Sequence, residues 1–110
     1  MKAWTAPPMA EADLLTGVLD LARLLLWRTI HVRPARTAHG WRTAVQGDGT
    51  GWPDVVALRA DRVVVAELKA DRGRLTAEQT AWLAAWTVAG AEVHIWRPAD
   101  YPDAIAEVLR

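Results

Sequence analysis

Residues Gly51 to Lys69, GWPDVVALRADRVVVAELK, decide how this chain folds. Two β-branched runs, Val55-Val56-Ala57-Leu58 and Val63-Val64-Val65-Ala66, flank the turn residues Arg59-Ala60-Asp61-Arg62, which is the pattern of a β-hairpin. Folded symmetrically about Ala60 and Asp61, the hairpin pairs Arg59 with Arg62 and Leu58 with Val63. The same register sets Asp54 opposite Glu67. Side chains alternate along a strand, so Glu67 and Lys69 share one face while Leu68 turns to the other. Directly opposed Cβ atoms lie about 4.5–5.5 Å apart, and like charges so placed repel. Two acids at the ends of valine-rich strands therefore call for a positive charge between them, and a divalent metal held by hard oxygen ligands supplies one. Lys69, one step beyond Glu67 on the same face, would touch whatever the metal holds. The competing reading is a hairpin whose ends emerge into solvent, with Glu67 and Lys69 as a surface pair.

Outward from the hairpin, the chain is short enough for one domain, residues 1–110, and long enough for a modest core. It has no cysteine, which excludes a disulfide framework and any thiolate metal site and suggests a reducing cytoplasm. No membrane span or signal peptide is expected, because Asp20 and Arg23 break the longest apolar run near the N-terminus. With 13 basic and 13 acidic residues the net charge is zero, so composition by itself does not mark a nucleic-acid binder. The distribution says more: Arg28 to Arg42 holds four arginines and two histidines and no acid.

Residues 1–8, ending in two prolines, read as a loose arm. An amphipathic helix follows from Met9 to Trp27, with Leu14, Leu15, Val18, Leu21, Ala22 and Leu25 on one stripe. Asp13, Asp20 and Arg23 take its outer face, whereas Glu11 continues the apolar stripe and is expected to point toward the protein. Glu11 is either an acid complementing the helix dipole, worth roughly a few tenths of a kcal/mol, or a further acid delivered to the Asp54/Glu67 patch. Trp27 to Val32 alternates like a first strand stopped by Pro34, and a lone His31 on it reads as structural rather than as a ligand. Residues 34–51 are glycine-rich and read as a long loop, of a length that is usually functional or disordered. Its Arg36, His39, Arg42 and Thr43 suit phosphate contacts, and Trp41 could stack on a base; the alternative is a solvated basic loop. Arg72 and Arg74, in the polar connection after the hairpin, join this candidate DNA-binding set.

Thr76-Ala77-Glu78-Gln79 fits a capping box at the start of a second helix. That is a complete structural account of Gln79, yet Gln79 shares a face with Trp82, Leu83 and Trp86. The helix stops at Gly90, Ala91 to Arg97 reads as a last strand, and Pro102 to Leu109 as a final helix. Trp82, Trp86 and Trp96 read as core. The whole is an α/β fold: helix, three strands, helix, strand, helix, with a mixed central sheet flanked by helices.

These segments carry a resemblance. Pro53-Asp54 followed by Glu67-Leu68-Lys69 resembles the PD-(D/E)xK motif of the restriction-endonuclease-like nucleases. The ordered set GWPDVVAL, AELK, GRLTAEQTAWL and AGAEVHIWRPADY, from about Glu11 to the C-terminus, is similar to the virus-type replication-repair nuclease (VRR-Nuc) domain. The resemblance implies an αβββαβ core and a Mg²⁺-dependent DNA endonuclease, with Mn²⁺ able to substitute. It implies Asp54, Glu67 and the Leu68 backbone carbonyl as metal ligands, and Lys69 orienting water and stabilising the developing phosphorane. It also implies that Gln79 and Glu11 reach the active site, that the chain forms a homodimer, and that its DNA is branched or otherwise structured. Other readings are a non-catalytic nucleic-acid or partner-binding module of the same fold, and a restriction or phage DNA-processing subunit.

Overall fold

The structure, a computed structural model, describes residues 9–32, 35–37, 40–42 and 47–110. Its elements run in the order α1 (Glu11–Leu24), β1 (Arg28–Ile30), β2 (Ala35–Thr37), β3 (Gly40–Arg42), β4 (Val55–Arg59), β5 (Arg62–Leu68), α2 (Ala77–Val88), β6 (Glu92–Trp96), a 3-10 turn (Pro98–Asp100) and α3 (Asp103–Leu109). Four strands make a mixed sheet in the order β1-β4-β5-β6, antiparallel except for the parallel β5–β6 pair. The expectation of a mixed α/β fold holds.

The hairpin has the register expected of it, with Arg59 paired to Arg62, Leu58 to Val63 and Val55 to Ala66. One further step along that register sets Asp54 against Glu67. Ala60 turns the chain at φ 53°, a positive φ of the kind that two-residue hairpin loops use. Alternation then divides the sheet. Val55, Ala57, Val64, Ala66, Leu68 and Trp96 face α1 and α3 and form the core with Leu14, Val18, Ala22, Trp27, Ile105 and Leu109. Asp54, Val56, Val65 and Glu67 face the opposite way, toward the side on which α2 packs.

Helix α1 ends at Leu24, short of the expected Trp27, and the reason is local. The Leu26 amide bonds the Arg23 carbonyl at 3.1 Å and the Trp27 amide bonds the Ala22 carbonyl at 2.9 Å, while Leu26 sits at φ 68°. That is a Schellman ending built without the usual glycine, so nothing in the residue types announces it. Gly90, at φ 97°, ends α2 by the same pair of bonds, from Gly90 to Thr87 and from Ala91 to Trp86.

Residues 34–51 correct the expectation of an unbroken loop, since β2 and β3 pair there as an antiparallel ribbon with Arg36 opposite Trp41 and Ala35 opposite Arg42. Short backbone ladders of three residues need no strong hydrophobic alternation, and glycine at position 40 masks one of the strands. His39 and Thr43 lie outside the described residues, as does the arm at residues 1–8.

The basic turn, Arg59 and Arg62, serves the fold. Arg59 donates to the carbonyls of Leu25 and Leu109, both at 2.9 Å, and Trp27 Nε1 donates to Leu109 at 2.8 Å. Arg62 grips Glu92 with two bonds of 2.8 and 2.7 Å and donates to the carbonyls of Val108 and Arg110. Both guanidinium groups lie over the Trp27 ring, 4.5 and 4.9 Å from its centre. The last turn of a helix leaves carbonyls unpaired and carries partial negative charge, so cations there satisfy both needs. Arg59→Ala should accordingly destabilise the protein by about 2 kcal/mol, the scale of losing charged hydrogen bonds to part-buried carbonyls. Urea unfolding measures this, and a loss below about 0.5 kcal/mol, within the range of an ordinary surface substitution, would contradict the pinning role.

Candidate active site

Glu67 is the one charged side chain among the buried described residues, with 2% of its surface exposed. Strand β5 carries it onto the face beneath the start of α2, which removes the surface-pair reading of Glu67 and Lys69. Lys69 Nζ lies 3.9 Å from Glu67 Oε1, and its side chain is itself only 13% exposed. Asp54, just before β4, turns its carboxylate into the same place: Leu68 N–H donates to Asp54 Oδ2 at 2.8 Å. Leu68 itself is buried in the core on the opposite face, as alternation requires.

Burial of Glu67 raises its carboxyl, and the neighbouring Asp54 carboxylate raises it further, to about 8; Lys69 works in the other direction and Glu11 adds a small upward push. A second carboxylate beside a buried one disfavours its charged form, and Lys69 offsets this only in part. Raised to about 8, Glu67 keeps its proton at neutral pH. Glu67 Oε2, moreover, is fully buried with no hydrogen-bond partner among the described residues. An orphaned carboxylate oxygen beside a second carboxylate fits a hard divalent cation. No group of three or more His, Cys, Asp or Glu gathers among the described residues. The side chains that could hold such an ion are the Asp54 and Glu67 carboxylates, with the Leu68 carbonyl beside them.

Gln79 unites its two readings. Its Oε1 accepts from the Thr76 amide at 2.9 Å while Thr76 Oγ1 accepts from the Gln79 amide at 3.1 Å, completing the capping box. With Oε1 committed, Nε2 is the end left to face Glu67, and it donates to Glu67 Oε1 at 3.2 Å. The cap thus fixes which way the side-chain amide points.

The chain leading to Asp54 is seated on the same helix. Gly51 lies at φ +84°, and a Cβ there would stand 2.6–2.8 Å from the backbone and Cβ of Glu78 and the amide of Gln79. Only glycine permits so close an approach. Trp52 packs edge-on against Trp82 and Trp86, with ring centres 4.9 and 5.7 Å away, and Trp82 Nε1 donates to the carbonyls of Asp48 and Thr50. Of the three tryptophans expected in the core, Trp96 is there; Trp82 and Trp86 instead form this separate, half-buried clasp. The aromatic clasp and Gly51 went unmarked in the sequence because their partners come from segments some thirty residues apart, as the Trp82–Asp48 separation of 34 shows.

Glu11 departs from expectation. It opens α1 and is exposed, and the buried stripe begins only at Leu14. A first-turn residue has no preceding turn to cover it, so its charge reaches Glu67 across an open edge. Arg72 and Arg74 are exposed on the connection after β5. Arg97 holds that connection by donating to the carbonyls of Ala70 at 2.7 Å and Gly73 at 2.8 Å. Gly73 in turn lies against the Lys69 stem, where an added Cβ would stand 3.3 Å from Lys69 Cδ. Arg36, Trp41 and Arg42 fall on the β2–β3 ribbon. None of the protein-family models matches this chain, and no curated protein is significantly similar to it.

Proposed function

We propose that the protein is a metal-dependent DNA endonuclease of the restriction-endonuclease-like kind, similar to VRR-Nuc domains. The observation that carries this reading is the buried Glu67 carboxylate beside the half-buried Asp54, with Lys69 on the same face. A module that only bound a partner would have no use for an acid held at such electrostatic cost. Asp54, Glu67 and the Leu68 carbonyl would hold Mg²⁺ or Mn²⁺. When bound, the metal supplies Lewis acidity toward a phosphodiester oxygen and makes water easier to deprotonate.

The chain's own groups do the remaining work. Gln79 holds Glu67 Oε1 and leaves Oε2 directed at the site. Lys69 presents a preorganised ammonium to the negative charge that grows on the phosphorane, where a low-dielectric wall strengthens it. Glu11 adds negative potential at the rim. Arg72 and Arg74, with Arg36, His39, Trp41, Arg42 and Thr43, would track phosphates and bases. Small size and neutral net charge leave little surface for reading sequence, which favours recognition of branched DNA by shape, with a homodimer as the acting unit.

If Arg36 and Arg42 contact phosphates, Arg36→Ala with Arg42→Ala should lower the slope of log affinity against log salt by about 0.9 per lost contact on duplex DNA. An unchanged slope removes them from the interface. The function itself is tested by incubating the protein with linear, nicked, flap and four-way DNA in Mg²⁺ or in EDTA. Cleavage of one class only with metal supports the proposal; binding without cleavage of any member would favour the non-catalytic module.

A further inference from the structure

We infer that His31 is a positioning residue that sets the Asp54 carboxylate, an inference that rests on the metal-site reading of Asp54 and Glu67. Asp54 stands just outside both of the ladders that could hold it. The β1–β4 ladder ends at the pair Ile30 and Val56, and the β4–β5 ladder ends at Val55 and Ala66. Pro53 precedes it and offers no amide hydrogen. A residue so placed needs side-chain bonds to keep its backbone in one orientation.

His31 supplies one. Its Nδ1 lies 2.6 Å from the Asp54 carbonyl oxygen, in a part-buried contact across 23 residues of chain. A carbonyl oxygen can only accept, so Nδ1 carries the hydrogen and donates whatever the charge of the ring. The carbonyl direction fixes ψ of Asp54, and ψ together with the ladder that begins at Val55 fixes where its Cα–Cβ bond points. The second tie is the Leu68 N–H, which donates to Asp54 Oδ2 at 2.8 Å. The β5–β6 ladder runs on through Lys69, whose amide bonds Trp96, so the Leu68 amide faces the Asp54 side. Carbonyl and carboxylate are thus held from opposite neighbouring strands, β1 and β5, and Asp54 is left with one oxygen, Oδ1, for the site. His31 touches none of the reacting groups. Its effect travels through Asp54.

The Leu68 amide reports on this arrangement without any metal. In EDTA, His31→Ala should speed hydrogen exchange of the Leu68 amide about tenfold, the effect of losing one charge-assisted hydrogen bond, while Val65 and Ala66 exchange as in wild type. His31→Asn places an amide nitrogen where Nδ1 stood and should restore protection. Asp54→Ala sets the upper limit of the acceleration. In parallel, Mg²⁺ should raise the melting temperature of wild type and His31→Asn but much less that of His31→Ala. Unchanged Leu68 exchange in His31→Ala overturns the inference, and so does equal acceleration across the whole sheet in both variants, which would mean His31 merely supports the fold. If Leu68 responds as described while wild type gains no stability from Mg²⁺, the metal reading fails and the positioning role stands.

Discussion

Lys69→Ala should still bind metal and DNA, yet cleave about 10²–10³-fold more slowly. The ammonium lies 3.9 Å from Glu67 Oε1, too far for a strong hydrogen bond, and it leaves the Glu67 carboxyl well raised. Its position is therefore poorly explained as a partner for Glu67 in the resting protein. On the proposed nuclease reading it would serve charge that appears elsewhere, on the scissile phosphate as it becomes five-coordinate. A contact that strengthens only there lowers the barrier without tightening ground-state binding. Were Lys69 only an ion-pair partner, its loss would cost at most about 1 kcal/mol of stability and no rate. Single-turnover cleavage with saturating enzyme separates the two. A variant that retains a rate within about threefold of wild type, a barrier change well under one factor of ten, removes Lys69 from the chemistry.

Glu67 should give the metal-free protein an unusual dependence of stability on pH. An unfolded glutamate titrates near 4.3, whereas burial and Asp54 hold the folded group at about 8. The folded state then binds more protons than the unfolded one between those values, and stability falls as pH rises through that window. The contribution is fully present below about 4.3 and lost once pH passes 8. In EDTA the wild-type melting temperature should therefore decline from about pH 4.5 to 8.5. Glu67→Gln, which keeps the shape and cannot ionise, should flatten this decline and be the more stable protein above pH 8. Saturating Mg²⁺ at pH 8 should reverse the penalty for wild type alone, by about 2.7 kcal/mol when metal stands at a hundred times its dissociation constant. A wild-type curve in EDTA that is flat over this range, or a slope that persists in Glu67→Gln, would contradict a buried Glu67 repelled by Asp54.

The parts of this architecture that local chemistry dictates were legible in the sequence. Valine runs and a four-residue turn set the hairpin register, and the register alone brought Asp54 to Glu67. The capping box placed Gln79, although only the structure shows that its two ends do two things at once. What could not be read depends on partners distant in the chain. Nothing local to the turn explains Arg59 and Arg62, because the end of the chain supplies the carbonyls they satisfy, 46 to 50 residues away. His31 carries no periodic signal that would tie it to Asp54. Glu11 continues the helical stripe and is nonetheless exposed, because periodicity does not show where the packed part of a helix begins. The β2–β3 ribbon was hidden by its glycine and its brevity.

The central claim is that Asp54 and Glu67 together form a divalent-cation site, and calorimetric titration of Mn²⁺ into the protein at pH 8 tests it most directly. Wild type should bind Mn²⁺ with release of about half a proton per site at this pH, the fraction that Glu67, raised to about 8, still holds in the metal-free state, while Asp54→Asn and Glu67→Gln should each show no binding in the same range. Absence of binding by folded wild type at millimolar Mn²⁺, or undiminished binding by both variants, would contradict the account.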